Sequence, residues 1–135
     1  MKLELEVRST KRCELIDITS QVRDAVHKCG IQSGVCMLSV PHTTAGLVVN
    51  ENWDPSVRQD VLATLDRLVP LHVDYAHTEG NAAAHIKSCL LGTSELLQVD
   101  GGNLTLGRWQ GVLFAEFDGP RRRRVLVRLI PDPEE

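Results

Sequence analysis

Apolar and polar residues alternate strictly at the start of the chain. Over residues 2–8, Leu3, Leu5 and Val7 share one side and Lys2, Glu4, Glu6 and Arg8 the other, the period-two pattern of a half-buried strand. The period then lengthens. Val22, Ala25, Val26 and Cys29 fall at i, i+3, i+4 and i+7 between Thr19, a capping residue, and Gly30, a left-handed stop, so the spacing predicts a short helix with His27 on its outer side. Residues 35–40 and 47–50 are β-rich runs that read as neighbouring strands, joined by the turn-rich link Pro41-His42-Thr43-Thr44-Ala45-Gly46.

Asp54-Pro55 is a strong helix start, because the aspartate caps and the proline lacks only an N–H that would be unpaired anyway. Val57, Val61, Leu65 and Leu68 trace one face from there to Pro70. A second start lies at Asn81, with residues 82–91 helical, Ile86, Cys89 and Leu90 as the buried stripe and Gly92 at the end. Strand patterns return at 95–99, 104–106, 111–118 and 123–130, with Gly101-Gly102-Asn103 as a hairpin turn. Strands outnumber helices and cluster at the two ends of the chain, which argues against a doubly wound parallel sheet. The expectation is a single α+β domain over residues 1–135, with a mainly antiparallel sheet or sandwich, three helices and a disordered tail at 131–135.

Composition narrows the function classes. The 135 residues carry 15 Lys and Arg against 18 Asp and Glu, a net charge of −3, so no global positive field draws the chain to nucleic acid or an anionic membrane, and any anion site is local. Two Phe, two Trp and one Tyr leave no row of aromatics on which bases could stack. The apolar runs are too short for a membrane span or a signal peptide, which makes a cytoplasmic protein the default. Cys13, Cys29, Cys36 and Cys89 contain no Cys-x-x-Cys pair and read as reduced, mostly buried thiols.

Three segments carry the candidate chemistry. Residues 74–87 hold His77, Glu79, Asn81, His85 and Lys87 around a helix start, where His77 and Glu79 on the incoming loop can converge with His85 on the first turn. Converging neutral imidazoles are the usual ligands of zinc or a similar divalent ion, although this spacing matches no diagnostic signature and a polar capping loop explains it as well. His42-Thr43-Thr44 precedes Asn50-Glu51-Asn52 and Asp54, and strand alternation puts His42 in phase with Cys36, Leu38 and Val40, pointing inward to a core partner, a metal or a substrate. In the third segment, Arg121 and Arg123 share parity with Val125, Val127 and Leu129, whereas Arg122 and Arg124 share the face of Arg128. Arginines entering a core edge must be paired, and Glu116 and Asp118 lie across the Gly119-Pro120 turn. They form either a structural ion-pair network or guanidinium forks aimed at phosphate or pyrophosphate.

Read in order, His42-Thr-Thr-Ala-Gly, Asn50-Glu51 with Asp54-Pro55, His77-Thr-Glu-Gly-Asn with Ala84-His85, Gly92-Thr-Ser94, Leu106-Gly-Arg-Trp109-Gln110 and Glu116-Phe-Asp-Gly-Pro-Arg121-x-Arg123 resemble the YjbQ family over almost the whole chain. These are small cytoplasmic proteins also described as a secondary thiamine-phosphate synthase family. Arg122 and Arg124 lengthen the basic run beyond the family's Arg-x-Arg and read as surface surplus. The resemblance implies an α+β homotrimer with its histidines and acidic groups in a cleft, and weak thiamine-phosphate synthase activity in some members.

Such a synthase joins a hydroxymethylpyrimidine diphosphate to a thiazole phosphate and expels pyrophosphate, so it needs cations on the leaving group. Arg121, Arg123 and Lys87, with Asn81 and the hydroxyls of Thr43, Thr44 and Ser94, are the candidate ligands of a phosphorylated small molecule. His42, His77 and His85 are the candidate ligands of a divalent metal, zinc or magnesium, and Glu51 or Glu116 the acid/base. A metal-dependent hydrolase using the same residues, and a non-catalytic trimeric ligand-binding module, are the rival readings. Trp109 is expected to fill a core or subunit interface.

Overall fold

The computed structural model describes residues 1–133. The elements run β1 (Lys2–Arg8), β2 (Glu14–Asp17), α1 (Thr19–Cys29), β3 (Gly34–Ser39), β4 (Ala45–Glu51), α2 (Pro55–Leu68), α3 (Ala82–Leu91), β5 (Ser94–Asp100), β6 (Asn103–Leu104), β7 (Gln110–Glu116) and β8 (Arg122–Pro131). The ladders are antiparallel. A five-stranded sheet has the order β1-β8-β3-β5-β6 and a three-stranded one the order β2-β7-β4. This is the expected α+β architecture. Among the described residues, no helix is long and apolar enough to cross a membrane.

The main core lies between the two sheets. Val22, Ala25 and Val26 of α1 meet Cys36 and Leu38 of β3, Val125 and Val127 of β8, and Val112 and Phe114 of β7 there. Ala115 and Phe117 form a second cluster with Ala84 of α3 and the half-buried Leu62 and Leu65 of α2. β7 is therefore covered on both sides, and its residues from Gly111 to Glu116 are all buried, which is why its sequence is a continuous apolar run and not an alternating one.

The helices correct the expected faces. Thr19 is the first helical residue of α1 and not its cap; Asp17 accepts its N–H at 2.9 Å and its hydroxyl at 2.6 Å, and that hydroxyl accepts the Val112 N–H at 2.9 Å. On α2, Asp54 caps as expected by accepting the Ser56 N–H at 2.9 Å, but Leu68 is exposed. On α3 the buried residues are Ala82, Ala83, Ala84, Lys87 and Ser88, while Ile86, Cys89 and Leu90 face out. The helix presents its small residues because β4 comes close: Ser88 donates its hydroxyl to the Ala45 carbonyl at 2.6 Å, and Leu47 N–H reaches the Gly92 carbonyl at 3.1 Å. A Cβ on Gly46 would stand 2.6 Å from that carbonyl, so only glycine permits the approach.

Other expectations change at the ends and at the thiols. β2 carries no alternation long enough to read from four residues, and it forms because β7 offers it a ladder. Pro131 belongs to β8, and Asp132 is tied to Ser33 through its N–H at 2.9 Å and its carboxylate at 2.5 Å, so 131–132 are ordered; residues 134–135 of the expected tail lie outside the described residues. All four cysteines are free, but only Cys36 is buried and Cys89 is exposed. Trp109 is not in the core: it is 47% exposed and packs edge-on against Trp53, with ring centroids 5.6 Å apart.

Candidate functional site

The link between β3 and β4, the start of α3 and the turn between β7 and β8 converge on one open cleft of about 510 Å³. His42, Thr43, Asn81, His85, Arg121 and Arg123 all border it, together with Thr44, Glu79 and Asp118. Three segments far apart in sequence thus meet, as their residue types suggested.

Arg123 anchors the wall. It is 4% exposed and Glu116 0%, and the pair is joined by Nε to Oε1 at 2.9 Å and Nη2 to Oε2 at 2.5 Å. Arg123 Nη2 also donates to the Thr44 hydroxyl at 2.7 Å, while Glu116 further accepts the Ser9 hydroxyl at 2.7 Å and the Asp118 N–H at 3.1 Å. Burial pushes the Glu116 carboxyl up, but the hydrogen bonds from Arg123, Ser9 and Asp118, with the Arg123 charge, outweigh it and leave the group below its ordinary value. A carboxylate so saturated is a poor proton acceptor, which corrects its candidacy as acid/base and makes it the holder of Arg123. Gly119 is required beside it, because a Cβ there would lie 2.6 Å from Ser9 Oγ and 2.9 Å from Glu116 Cγ.

Arg121 is half exposed and held from one side only. It donates Nε to the Asp118 carbonyl at 2.8 Å and Nη2 to the Asp118 carboxylate at 3.1 Å. The same Asp118 oxygen accepts Asn81 Nδ2 at 3.0 Å, which fixes the amide so that Asn81 Oδ1 faces His77 Nε2 at 2.9 Å. His77 therefore donates from Nε2. The parity expectation holds for Arg123 but not for Arg121, which precedes β8 and is freed from strand alternation. Arg122 and Arg124 do face out, paired to Glu6 at 3.0 Å and Glu4 at 2.9 Å.

Both arginines keep Nη1 without a hydrogen bond among the described residues. Since among the described residues no buried side-chain nitrogen or oxygen lacks a partner, the Nη1 of Arg123 keeps some contact with solvent, and Arg123 borders the cleft. Thr43 is exposed, whereas the Thr44 hydroxyl is spent on Arg123.

The three histidines do not gather into one ligand set. His42 Nε2 accepts the Arg124 N–H at 3.1 Å, so its proton sits on Nδ1. Burial, then the Arg123 and Arg124 charges, hold its pKa below the ordinary imidazole value against the opposing pull of Glu116. His77 and His85 lie edge to face with centroids 5.3 Å apart, and Glu79 is 3.7 Å from His77. Among the described residues no three His, Cys, Asp or Glu are grouped to hold a metal ion. These donors do not fit a preformed three-histidine centre, because His42 has its Nε2 lone pair on the Arg124 N–H and its proton on Nδ1, which leaves it no nitrogen for a metal, whereas His77, donating from Nε2, keeps its Nδ1 lone pair.

Three candidates lie elsewhere. Lys87 is 1% exposed, ion-paired with Asp66 and 5.8 Å from the Phe117 ring centroid, so its charge is consumed under α3. Glu51 pairs across from Gln110 while Glu116 pairs with Ala45, placing the two glutamates at opposite ends of the β4–β7 ladder, roughly 20 Å apart at 3.3 Å per residue. Glu51 accepts the Asp54 N–H at 3.0 Å, a helix-start role. Ser94 opens β5 outside the cleft, where its neighbour Thr93 takes the place expected for it in an adjoining recess. Asp118, which positions both Arg121 and Asn81, was visible in the sequence only as an arginine partner.

The same segments locate the chain among known proteins. Residues 3–132 match the model of the UPF0047 protein YjbQ-like family. A UPF0047 protein of Methanocaldococcus jannaschii is 45% identical over 132 residues, spanning 98% of this chain and 96% of its own. The UPF0047 protein YugU of Bacillus subtilis is 46% identical over 127 residues, spanning 93% and 96%. Among solved structures, an uncharacterized conserved protein of the YjbQ/UPF0047 family from Clostridium acetobutylicum superposes with a TM-score of 0.93 at 45% identity, covering 95% of this chain and 99% of that one. A YbjQ-like protein of unknown function from Sulfolobus solfataricus gives 0.94 at 32% identity, covering 98% and 97%. A match of this length in both sequence and fold means that the chain belongs to the YjbQ-like UPF0047 family of uncharacterised proteins.

Proposed function

We propose that the cleft binds a phosphorylated small molecule and acts on it as an enzyme. The observation that carries this reading is the pair of arginines, each fixed by a carboxylate, each with Nη1 unpaired among the described residues and both bordering the cleft. Two pre-oriented guanidinium edges, the exposed Thr43 hydroxyl and the Nδ1–H of neutral His42 suit a tetrahedral oxyanion with several acceptor oxygens. Because Asp118 and Glu116 hold the arginines before any ligand arrives, little ordering is left to be done on binding. His85, whose ring has no hydrogen bond to the protein among the described residues, is the group placed to move a proton at the bound phosphate.

The finer reading is the synthase reaction implied by the family resemblance, with Arg121 and Arg123 taking the charge of the departing pyrophosphate. The test is to supply the hydroxymethylpyrimidine diphosphate and the thiazole phosphate together and singly, and to follow pyrophosphate. Release that requires both substrates and falls at least about tenfold in Arg121→Ala supports it, since a charge-assisted hydrogen bond of about 1.5–3 kcal/mol is removed. Phosphate release from one substrate alone assigns hydrolysis instead. If no phosphate or pyrophosphate raises the melting temperature, the anion-binding reading fails.

The assembly proposed with this function is the homotrimer. Exposed Leu96, Leu126 and Ile130 on the five-stranded sheet are the kind of surface that supports it. Sedimentation equilibrium giving three times the 15.0 kDa chain mass is the expected result.

A further inference from the structure

A second recess of about 570 Å³ adjoins the cleft and shares three of its lining residues, His42, Thr43 and His85. Beyond these shared residues its surface comes from Ser88, Cys89, Gly92 and Thr93, at the end of α3 and the entry to β5. Its chemistry differs from that of the first lobe. It holds no arginine, lysine or carboxylate. Its polar groups are largely spent inside the protein: the Ser88 hydroxyl on Ala45, the Gly92 carbonyl on Leu47, and the Thr93 carbonyl on the Val40 N–H at 2.8 Å. What remains is the Cys89 thiol, the Thr93 side chain and backbone surface on a floor held rigid by the close contact of Gly46 with Gly92.

We infer that the site has two parts, and that this second lobe takes the uncharged organic body of the substrate whose phosphate is held by Arg121 and Arg123. The inference rests on the phosphate reading above and extends it to a substrate class: a phosphate or diphosphate ester of an uncharged organic alcohol. A phosphate placed in the second lobe finds no cation, and an uncharged body placed among the arginines desolvates them without pairing, so the two ends of such an ester have one favourable orientation. Volumes of several hundred Å³ are those of small-molecule sites. The ester linkage then spans the shared boundary, beside His42, Thr43 and His85, where the proton-transfer group already stands.

Cys89 reports occupancy of this lobe. Purified protein is treated with N-ethylmaleimide, and the alkylation rate at each cysteine is read by peptide mass spectrometry; Cys29 on α1 serves as the internal reference and Cys36, whose thiol burial pushes up to about 11, as the unreactive one. The probes are inorganic phosphate and benzyl phosphate, with melting temperature measured alongside. Both are expected to raise the melting temperature, and both to lose that effect in Arg121→Ala. Benzyl phosphate alone should slow Cys89 alkylation, about tenfold at ten times its dissociation constant, with Cys29 unchanged. The inference is overturned if both stabilise but neither protects Cys89, if phosphate protects it equally, or if phosphate stabilises and benzyl phosphate does not; in each case the phosphate reading stands. If neither stabilises, the phosphate reading fails and takes this one with it.

Discussion

Arg123 and Glu116 show how one charge pair can serve both stability and a site. Each is buried, and each is the other's compensation. Removing only the guanidinium leaves a carboxylate inside the protein with Ser9 and one N–H as partners, so Arg123→Ala should cost about 3–5 kcal/mol in urea unfolding. The double variant Arg123→Met/Glu116→Gln, which retains an acceptor for Ser9 and Asp118 without a charge, should recover most of that loss. Arg121→Ala, at a half-exposed side chain, should change stability by less than about 1 kcal/mol while removing anion binding. The two arginines looked equivalent in sequence because both follow the parity of β8. They separate because Arg123 lies within the strand and Arg121 lies before it.

At the scale of elements, α2 and α3 show what periodicity misses. Their apolar residues trace helical stripes, but a stripe names a face only when something packs on it. On α3 the face turned to β4 is set by how closely two backbones approach, which selects alanine, serine and glycine over the larger Ile86 and Leu90. Two substitutions test this. Ala84→Leu, at a 4% exposed position one turn before Ser88, should overpack the contact with a loss of about 1–3 kcal/mol, whereas Leu68→Gln, at a 70% exposed position on α2, should stay within about 0.5 kcal/mol by the same measurement. Lys87 belongs to the same lesson, since a lysine two residues after His85 near a helix start reads as a ligand until its partner Asp66 on the neighbouring helix is seen.

For the whole molecule, the shifted carboxylates and His42 act in one direction on stability. Glu116 sits below its ordinary 4.5 because its hydrogen bonds and the Arg123 charge outweigh burial; Asp17 sits below 3.8 because hydrogen bonds from Thr19 and Asn52 do the same. Each contributes stability that is present above the unfolded value and lost as pH falls through the folded one. His42, held below 6.5 by burial and the nearby guanidinium groups, takes up its proton more readily in the unfolded chain, so acid again favours unfolding. The urea midpoint should therefore decline shallowly below pH 6.5 and more steeply below 4.5. Glu116→Gln should flatten the steeper part and His42→Asn the shallower; a midpoint that rises on acidification contradicts both assignments.

The sequence by itself determined the class of fold, the limits of most strands, the Asp54 start of α2, and the three segments that line the cleft. These are local: alternation, capping and turn chemistry depend on neighbours within a few residues. Tertiary structure decided the rest. It separated Glu51 from Glu116 by the length of a ladder, buried Lys87, turned His42 and His77 to separate partners, and set Arg121 and Arg123 at one cleft with Nη1 unpaired among the described residues. Those outcomes depend on which backbone groups and counter-charges arrive from distant parts of the chain, and a buried charge or an imidazole takes its role from the partner it meets.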